Sequence, residues 1–144
     1  MLADDDNDDI FLFKNALEEL KMPNRFTVIQ NGQELMHFLQ NSEQLPDILF
    51  LDLNMPRKKG MACLQEIREN QNFKTLPVII YTTSYQEDMV KLLYKKGAQY
   101  YIRKPIDFLQ NIELIKKAIV AVQNLMVDQT GNFVPSSEEN FVLF

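Results

Sequence analysis

The sequence contains few of the residues on which disulfides and histidine-based metal sites depend. It has one cysteine, Cys63, and one histidine, His37. A single cysteine cannot form an internal disulfide, so we expect the chain to fold in a reducing compartment, the cytoplasm. Both residues lie within helical patterns, and His37 has no metal-binding residue beside it. We interpret them as ordinary helix residues rather than as a reactive thiol and a metal ligand.

The chain also lacks a glycine-rich loop, a long apolar run and an excess of basic residues. Its four glycines form neither a Gly-rich phosphate loop nor a Walker sequence, which disfavours a nucleotide-binding protein. The longest apolar runs, such as Pro77–Tyr81, are too short to span a bilayer, so no membrane association is expected. A net charge of -5 argues against general nucleic-acid binding, which needs a basic face. Aspartates fill most of positions 4–9, so no signal peptide is predicted.

The 144 residues alternate between two apolar patterns that are typical of strands and helices. Hydrophobic residues make up 46% of the chain, enough for the core of one globular domain. Strands are predicted at residues 1–3, 26–29, 48–51, 77–81 and 100–102. Helices are predicted at about 10–20, 32–39, 60–67, 86–96 and 108–127. The chain therefore reads as five strands that alternate with five helices.

Two of these strands are apolar at nearly every position, at Ile48–Leu51 and Val78–Ile80. Such strands must be covered on both faces, which predicts an α/β fold with a parallel sheet between layers of helices. No basic residue follows Lys117, and residues 128–140 are polar. We expect a domain over residues 1–127 and a C-terminal tail over 128–144 without an output domain. The last four residues, Phe141–Phe144, are apolar and are expected to dock on the domain or on a second copy.

Polar side chains follow the predicted strands at the points where they end. Asp4 and Asp5 follow the first strand, Asp52 the third, Thr82 the fourth and Lys104 the fifth. In an open parallel sheet the functional crevice lies outside the carboxyl ends of the strands. Each feature has a structural explanation when it is taken alone, such as a turn, a helix cap or an acidic helix start. Their joint placement at one sheet edge favours a site.

The predicted chemistry of this edge is that of a cation and a phosphoryl group. Three clustered carboxylates repel one another, and a hard divalent ion, most simply Mg²⁺, relieves that repulsion. A carboxylate can also accept a phosphoryl group covalently. Phosphoryl transfer needs positioning and charge neutralisation, which the metal, the Lys104 ammonium and the Thr82 hydroxyl would supply.

Four segments together resemble the receiver domain of bacterial two-component response regulators, the CheY-like domains. They are Leu2–Asp6, Leu49–Pro56, Pro77–Thr82 and Lys104–Pro105, and the resemblance extends over residues 1 to about 127. It implies a flavodoxin-like (βα)5 fold, a doubly wound three-layer sandwich whose five-stranded parallel sheet has the order 2-1-3-4-5. It also implies a cis bond before Pro105.

The resemblance assigns a role to each residue that matches the motif. Asp52 is then the phosphoacceptor. Asp5 would bind Mg²⁺ directly, Asp4 largely through water, and Asn54 through its backbone carbonyl. Asp52 would also be a ligand of the ion.

Three further residues match positions beyond the acidic cluster. Thr82 would hydrogen-bond a phosphoryl oxygen, Lys104 would neutralise charge, and Tyr101 would be the aromatic switch residue. In the implied two-state mechanism, the phosphoryl group draws Thr82 inward and Tyr101 turns into the vacated space. The surface of the fourth helix, fifth strand and fifth helix then changes its affinity for partners.

The resemblance implies a stand-alone response regulator in the cytoplasm rather than an enzyme. Its chemistry would be limited to its own phosphorylation and dephosphorylation. The expected partners are a sensor histidine kinase and a downstream target or phosphotransfer protein, and a homodimer is an open alternative.

Two other functions are weighed against this one. A phosphatase of the haloacid dehalogenase type needs a second aspartate two residues after the nucleophile, where this chain has Asn54. A pseudo-receiver that binds proteins without phosphorylation would usually lack part of the acidic set, which is complete here. Both alternatives are therefore weaker than the phosphorylated receiver.

Overall fold

The computed structural model describes residues 1–125 and 137–144. Strands β1 to β6 are Leu2–Ala3, Val28–Ile29, Leu49–Leu51, Val78–Thr82, Tyr100–Arg103 and Val142–Leu143. Helices α1 to α5 are Asn7–Glu19, Gly32–Asn41, Gly60–Glu69, Glu87–Lys95 and Phe108–Gln123. A short 3-10 helix at Glu138–Asn140 precedes β6.

The strands form one parallel sheet in the order β2-β1-β3-β4-β5-β6. All residues of β3 and β4 are buried, as their apolar sequences predict for central strands. Helices cover both faces of the sheet. One core cluster holds buried residues of α2, α3 and α4, and the other holds those of α1 and α5. The predicted flavodoxin-like α/β sandwich and the order 2-1-3-4-5 are thereby confirmed.

Polar caps begin three of the helices. The side chain of Asp6 accepts hydrogen bonds from the first turn of α1, Asn31 caps α2 and Asp107 caps α5. Each cap satisfies backbone N–H groups that have no partner within the helix. Because the caps lie just beyond or near strand ends, they fix where the chain turns at the sheet edge. Two residues after the end of α4, Gly97 has a φ of 88°, the left-handed conformation that glycine adopts most readily.

The sixth strand corrects the predicted five-stranded sheet. Val142 and Leu143 pair in parallel with Tyr101 and Ile102 of β5, so the end of the predicted tail belongs to the sheet. A two-residue strand has no alternation that a sequence could reveal, and its position depends on the open edge of β5. Helix α5 ends at Gln123, earlier than predicted. The predicted domain boundary after residue 127 lies outside the described residues.

Two other expectations concern the backbone and the membrane. No cis peptide bond occurs in the described residues, so the bond before Pro105 is trans and the predicted cis bond is wrong. The trans form is the lower-energy one even before proline, by about 0.5–1 kcal/mol. Within residues 1–125 and 137–144, every helix is too short or too polar to cross a bilayer.

Candidate functional site

Three carboxylates meet at the carboxyl edge of β1 and β3. Asp4, Asp5 and Asp52 each offer one oxygen, and these oxygens lie within 4.8 Å of one another. The strands place them there, because the Asp52 N–H donates to the Ala3 carbonyl at 2.9 Å and the Asp4 N–H to the Ile29 carbonyl at 2.9 Å. Asp4 and Asp52 are buried, whereas Asp5 is exposed. The cluster therefore opens to solvent on the Asp5 side.

The loop after Asp52 is held closely against the start of α3. The Gly60 N–H donates to the Leu53 carbonyl at 3.1 Å. A Cβ atom on Gly60 would lie 2.3 Å from the Asp52 carbonyl oxygen, so only glycine allows this approach. Asn54 lies exposed in the loop, and its predicted metal contact stays a prediction.

Lys104 reaches the acidic cluster from the end of β5. Its Nζ lies 2.6 Å from Asp4 Oδ2, 2.7 Å from Asp9 Oδ2 and 3.8 Å from Asp52 Oδ1. Its backbone N–H donates to the Thr82 carbonyl at 2.8 Å, which fixes the base of the side chain. The side chain is only 6% exposed. The ammonium thus partly compensates the buried carboxylates.

Burial and neighbouring charges shift the pKa values of Asp4 and Lys104 in opposite directions. Burial raises the pKa of Asp4 to about 6, although the hydrogen bond and positive charge of Lys104 favour its ionised form. Burial by itself would lower the pKa of Lys104, but its hydrogen bonds to Asp4 and Asp9 and the surrounding negative charge raise it. Lys104 therefore stays charged at neutral pH. Asp4 is also ionised there, and its buried charge lowers the free energy of unfolding.

The Thr82 hydroxyl lies buried without a partner. Among the described residues, Thr82 Oγ1 is the one buried side-chain oxygen or nitrogen with no hydrogen bond. Leaving a buried hydroxyl unpaired costs about 1–3 kcal/mol. At the end of β4, between the ends of β3 and β5, such a hydroxyl is available to an incoming oxygen ligand.

Tyr101 is buried in the core cluster that also contains residues of α4, and its hydroxyl donates to the Ser84 carbonyl in the loop after β4. Its ring packs edge-on against Tyr85, with ring centroids 6.0 Å apart. The predicted switch residue thus contacts the loop that follows Thr82.

The sequence did not identify two contributors to the site. Asp9 is one of several aspartates near the start of the first helix and was not among the predicted site residues, yet it lies as close to Lys104 Nζ as Asp4 does. Tyr81 lies below Lys104, with 5.3 Å between Nζ and the ring centroid, and its hydroxyl donates to Asn111 Oδ1 at 2.8 Å. A tyrosine within an otherwise apolar buried strand was the available signal for Tyr81. No spacing rule distinguishes Asp9 from Asp6 and Asp8.

The carboxylate cluster fits a small divalent cation. Two oxygens bound to one Mg²⁺ lie at most about 4.2 Å apart, since each Mg–O distance is near 2.1 Å. The three carboxylate oxygens lie within 4.8 Å of one another, which is close to this limit. The donor set consists entirely of oxygen atoms, which is the set that Mg²⁺ prefers.

Comparisons with known proteins agree with this architecture. Response regulator Rcp1 of Synechocystis sp. is 27% identical over 133 residues, which are 89% of this chain and 88% of Rcp1. The crystal structure of the Mn(2+)-bound form of Rcp1 has a TM-score of 0.77 at 26% identity, over 88% of this chain and 96% of that one. The phosphorylated cyanobacterial phytochrome response regulator RcpA has a TM-score of 0.78 at 28% identity, over 94% and 96%.

The match to the family itself covers most of the chain. The sequence profile of the response regulator receiver domain matches residues 1–117, which include all five β–α units of the sheet up to most of α5. The chain belongs to the response regulator receiver domain family, the CheY-like domains of two-component signalling.

Proposed function

We propose that this receiver accepts a phosphoryl group on Asp52 in the presence of Mg²⁺ and uses it as a reversible signal. One observation carries the proposal: a three-carboxylate cluster, a buried lysine and a partnerless threonine hydroxyl converge on one sheet edge. Each component answers a need of phosphoryl transfer, namely an acceptor, charge neutralisation and a hydrogen-bond donor to a phosphoryl oxygen.

The transfer step is a displacement at phosphorus. An Asp52 carboxylate oxygen forms the new O–P bond while the P–N bond of a phosphohistidine, or the P–O bond of acetyl phosphate, breaks. The leaving group departs with the bonding electrons, and a histidine leaving group takes up a proton. Lys104, 3.8 Å from Asp52 Oδ1, would then balance the charge added at Asp52.

Asp5, Asp52 and the Asn54 carbonyl would hold the ion, with Asp4 acting largely through water. Both Asp4 oxygens are already engaged, Oδ1 by the Asp6 N–H at 3.1 Å and Oδ2 by Lys104, which supports an indirect role. When bound, Mg²⁺ would neutralise the carboxylates and the phosphoryl oxygens. Asp5 is the exposed member of the cluster and is therefore the first that an arriving ion would meet.

The proposed switch runs from Thr82 to Tyr101. A phosphoryl oxygen would give Thr82 Oγ1 the partner that it lacks and draw the loop after β4 towards Asp52. The Tyr101 hydroxyl donates to the Ser84 carbonyl in that same loop, so a movement of the loop would also affect the position of the Tyr101 side chain. The surface formed by α4, β5 and α5, here called the switch face, would then present a different shape to partners.

The remaining assignments extend the proposal to the whole chain. Residues 1–127 would form the receiver, and residues 128–144 a C-terminal tail. The partners would be a sensor histidine kinase and a downstream target or phosphotransfer protein. A homodimer is a further alternative. The setting would be cytoplasmic, and the chemistry limited to self-phosphorylation and self-dephosphorylation.

One observation favours a second candidate, the pseudo-receiver. Lys104 already binds Asp4 and Asp9 at 2.6 and 2.7 Å, so the acids are partly neutralised without a metal. A site held in that state would neither bind Mg²⁺ nor accept phosphate, and would serve only to bind proteins.

One experiment separates the two candidates. The protein is incubated with Mg²⁺ and acetyl phosphate or phosphoramidate, and its intact mass is measured. We expect one phosphoryl adduct that is absent in Asp52→Asn and retained in Asp8→Asn, a matched exposed aspartate outside the cluster. A folded wild-type protein that gains no adduct would support the pseudo-receiver instead.

A further inference from the structure

The C-terminal segment, residues 138–144, lies on the open edge of β5. Val142 and Leu143 pair in parallel with Tyr101 and Ile102, and the Tyr101 N–H donates to the Phe141 carbonyl at 2.9 Å. The edge of β5 lies on the switch face that the proposed function makes available to partners. By pairing with β5, the segment satisfies backbone N–H and C=O groups at the edge of the sheet that another strand could otherwise bind.

Phe141 ties this segment to the predicted switch residue. Its side chain is 1% exposed. The ring lies 6.3 Å from the ring of Tyr101 and 5.4 Å from that of Tyr94 in α4, measured between centroids. Phe141 thus contacts both Tyr101 of β5 and Tyr94 of α4, where its ring would oppose an outward movement of Tyr101.

The rest of the segment is fastened on both sides of the sheet. Val142 packs against the core cluster that contains Tyr101, and Leu143 packs against the cluster on the α1 and α5 face. At the end of the chain, Lys117 of α5 donates to the Phe144 carbonyl at 2.7 Å. The 138–144 segment is therefore held along its length rather than at a single contact.

We propose that residues 138–144 are an intramolecular ligand of the switch face that holds Tyr101 in its buried position. This inference rests on the proposed function for the role of the switch face. Because the docked Phe141 and the buried Tyr101 occur together, docking of the segment favours the same Tyr101 position that phosphorylation would favour. Coupling between two sites is reciprocal, so occupation of the Asp52 site strengthens docking of the segment to the same extent.

The proposal has a consequence for recognition. While the segment is docked, the β5 edge is already paired, and a partner meets a face built from α4, α5 and residues 138–144 together. A partner that adds its own strand to β5 must first displace the segment. Docking and strand addition therefore exclude each other.

The first test needs no phosphorylation. Phe141→Ala is compared with wild type and with Phe144→Ala, which removes an equal ring that is 79% exposed at the end of the same segment. Aromatic NMR signals of Tyr101 and hydrogen exchange at its backbone N–H are measured in the full chain. We expect Phe141→Ala to shift the Tyr101 signals and to speed exchange at that amide, while Phe144→Ala behaves as wild type. Identical spectra and exchange in all three proteins would overturn the proposal.

The second test measures the coupling itself. Beryllofluoride, which mimics the phosphoryl group on an aspartate, is titrated in the presence of Mg²⁺. We expect Phe141→Ala to bind it at least about five-fold more weakly than wild type, the lower end of usual coupling strengths. Equal affinity in wild type and Phe141→Ala would contradict the coupling. A wild type that binds no beryllofluoride would instead count against the proposed function, and the first test would still decide whether the segment holds Tyr101.

A loss of folding in Phe141→Ala is controlled by Phe141→Leu, which keeps an apolar side chain but removes both ring contacts. Circular dichroism establishes that each variant is folded before its Tyr101 signals are compared. We expect Phe141→Leu to fall between Phe141→Ala and wild type in both tests. A Phe141→Leu protein with wild-type Tyr101 signals and wild-type beryllofluoride affinity would show that the ring of Phe141 does not hold Tyr101.

Discussion

At the scale of single residues, the site is built from groups whose burial costs stability. Asp4 has no exposed surface, yet its carboxylate must stay ionised beside Lys104 and Asp52. Thr82 leaves a hydroxyl unpaired in the interior. The protein would be more stable if these groups were apolar or fully paired. Costs of this kind are typical of functional sites.

Asp4→Asn is expected to stabilise the metal-free protein near neutral pH. Because the pKa of Asp4 is raised from 3.8 to about 6 on folding, the folded protein holds this proton more tightly than the unfolded chain does. The cost of the carboxylate is therefore fully present above about pH 6 and disappears as the pH falls towards its ordinary pKa. The amide should raise the free energy of unfolding by about 1–3 kcal/mol at neutral pH, and by little near pH 4. Urea unfolding in EDTA at both pH values tests this, and a gain that is independent of pH would contradict it.

Tyr81→Phe is expected to lower stability without slowing phosphorylation. The substitution removes the donor to Asn111 Oδ1, a buried acceptor, and should cost about 1–3 kcal/mol. The ring stays beneath Lys104, so the rate of adduct formation with acetyl phosphate should not change. Tyr100→Phe on the adjacent strand is the control, because the Tyr100 hydroxyl forms no hydrogen bond within residues 1–125 and 137–144. A large drop in the rate for Tyr81→Phe would mean that the hydroxyl, rather than the ring, positions Lys104.

At the scale of elements, strand ends and helix starts determine where the site residues lie. The sequence was sufficient to predict β3 and β4, because their apolar runs end directly at Asp52 and Thr82. It was insufficient for β6, whose two residues follow a polar stretch and pair only because β5 offers an open edge. The contact of Asp9 with Lys104 was equally hidden, since it depends on how α1 is placed against β5 and not on local spacing.

Gly60→Ala is expected to disturb the acceptor loop. The added methyl group would lie 2.3 Å from the Asp52 carbonyl oxygen and 2.9 Å from Leu53 Cα, so the start of α3 must move away from the loop. We expect a loss of about 1–3 kcal/mol in unfolding free energy, together with weaker Mg²⁺ binding.

Gly97→Ala serves as the matched control for Gly60→Ala. The φ of 88° at Gly97 makes alanine strained by about 1 kcal/mol. The added methyl group would contact the Arg68 side chain and not the acidic cluster. Both variants should be less stable in thermal unfolding, and only Gly60→Ala should lose Mg²⁺ affinity by titration. Unchanged Mg²⁺ affinity in Gly60→Ala would argue that the loop position does not govern the cation site.

At the scale of the whole molecule, the sheet gathers residues that are far apart in sequence into one functional edge. Lys104 and Asp4 are separated by 100 positions and touch because β5 and β1 end at the same edge. This gathering was predictable from the alternation of strands and helices, together with the family resemblance. The protonation and pairing of the gathered groups were not, because they depend on burial and on distances of a few ångströms.

Mg²⁺ is expected to stabilise the folded protein through its exposed ligand. A ligand present at a hundred times its dissociation constant adds about 2.7 kcal/mol when it binds only the folded state. Thermal unfolding with and without Mg²⁺ should therefore show a higher Tm for wild type. Asp5→Asn should lose that increase at little cost to the metal-free fold because Asp5 is exposed, whereas Asp8→Asn should keep it. An undiminished Mg²⁺ effect in Asp5→Asn would remove Asp5 from the metal site.

The central claim is that Asp52 is the residue that receives the phosphoryl group, and chemical mapping of the adduct tests it most directly. After phosphorylation by acetyl phosphate with Mg²⁺, borohydride reduces an aspartyl-phosphate to homoserine, which peptide mass spectrometry can locate. We predict homoserine at position 52 and at none of the neighbouring acids of the cluster, Asp4 and Asp5. Homoserine at another aspartate, or no homoserine in a folded protein that binds Mg²⁺, would contradict the account.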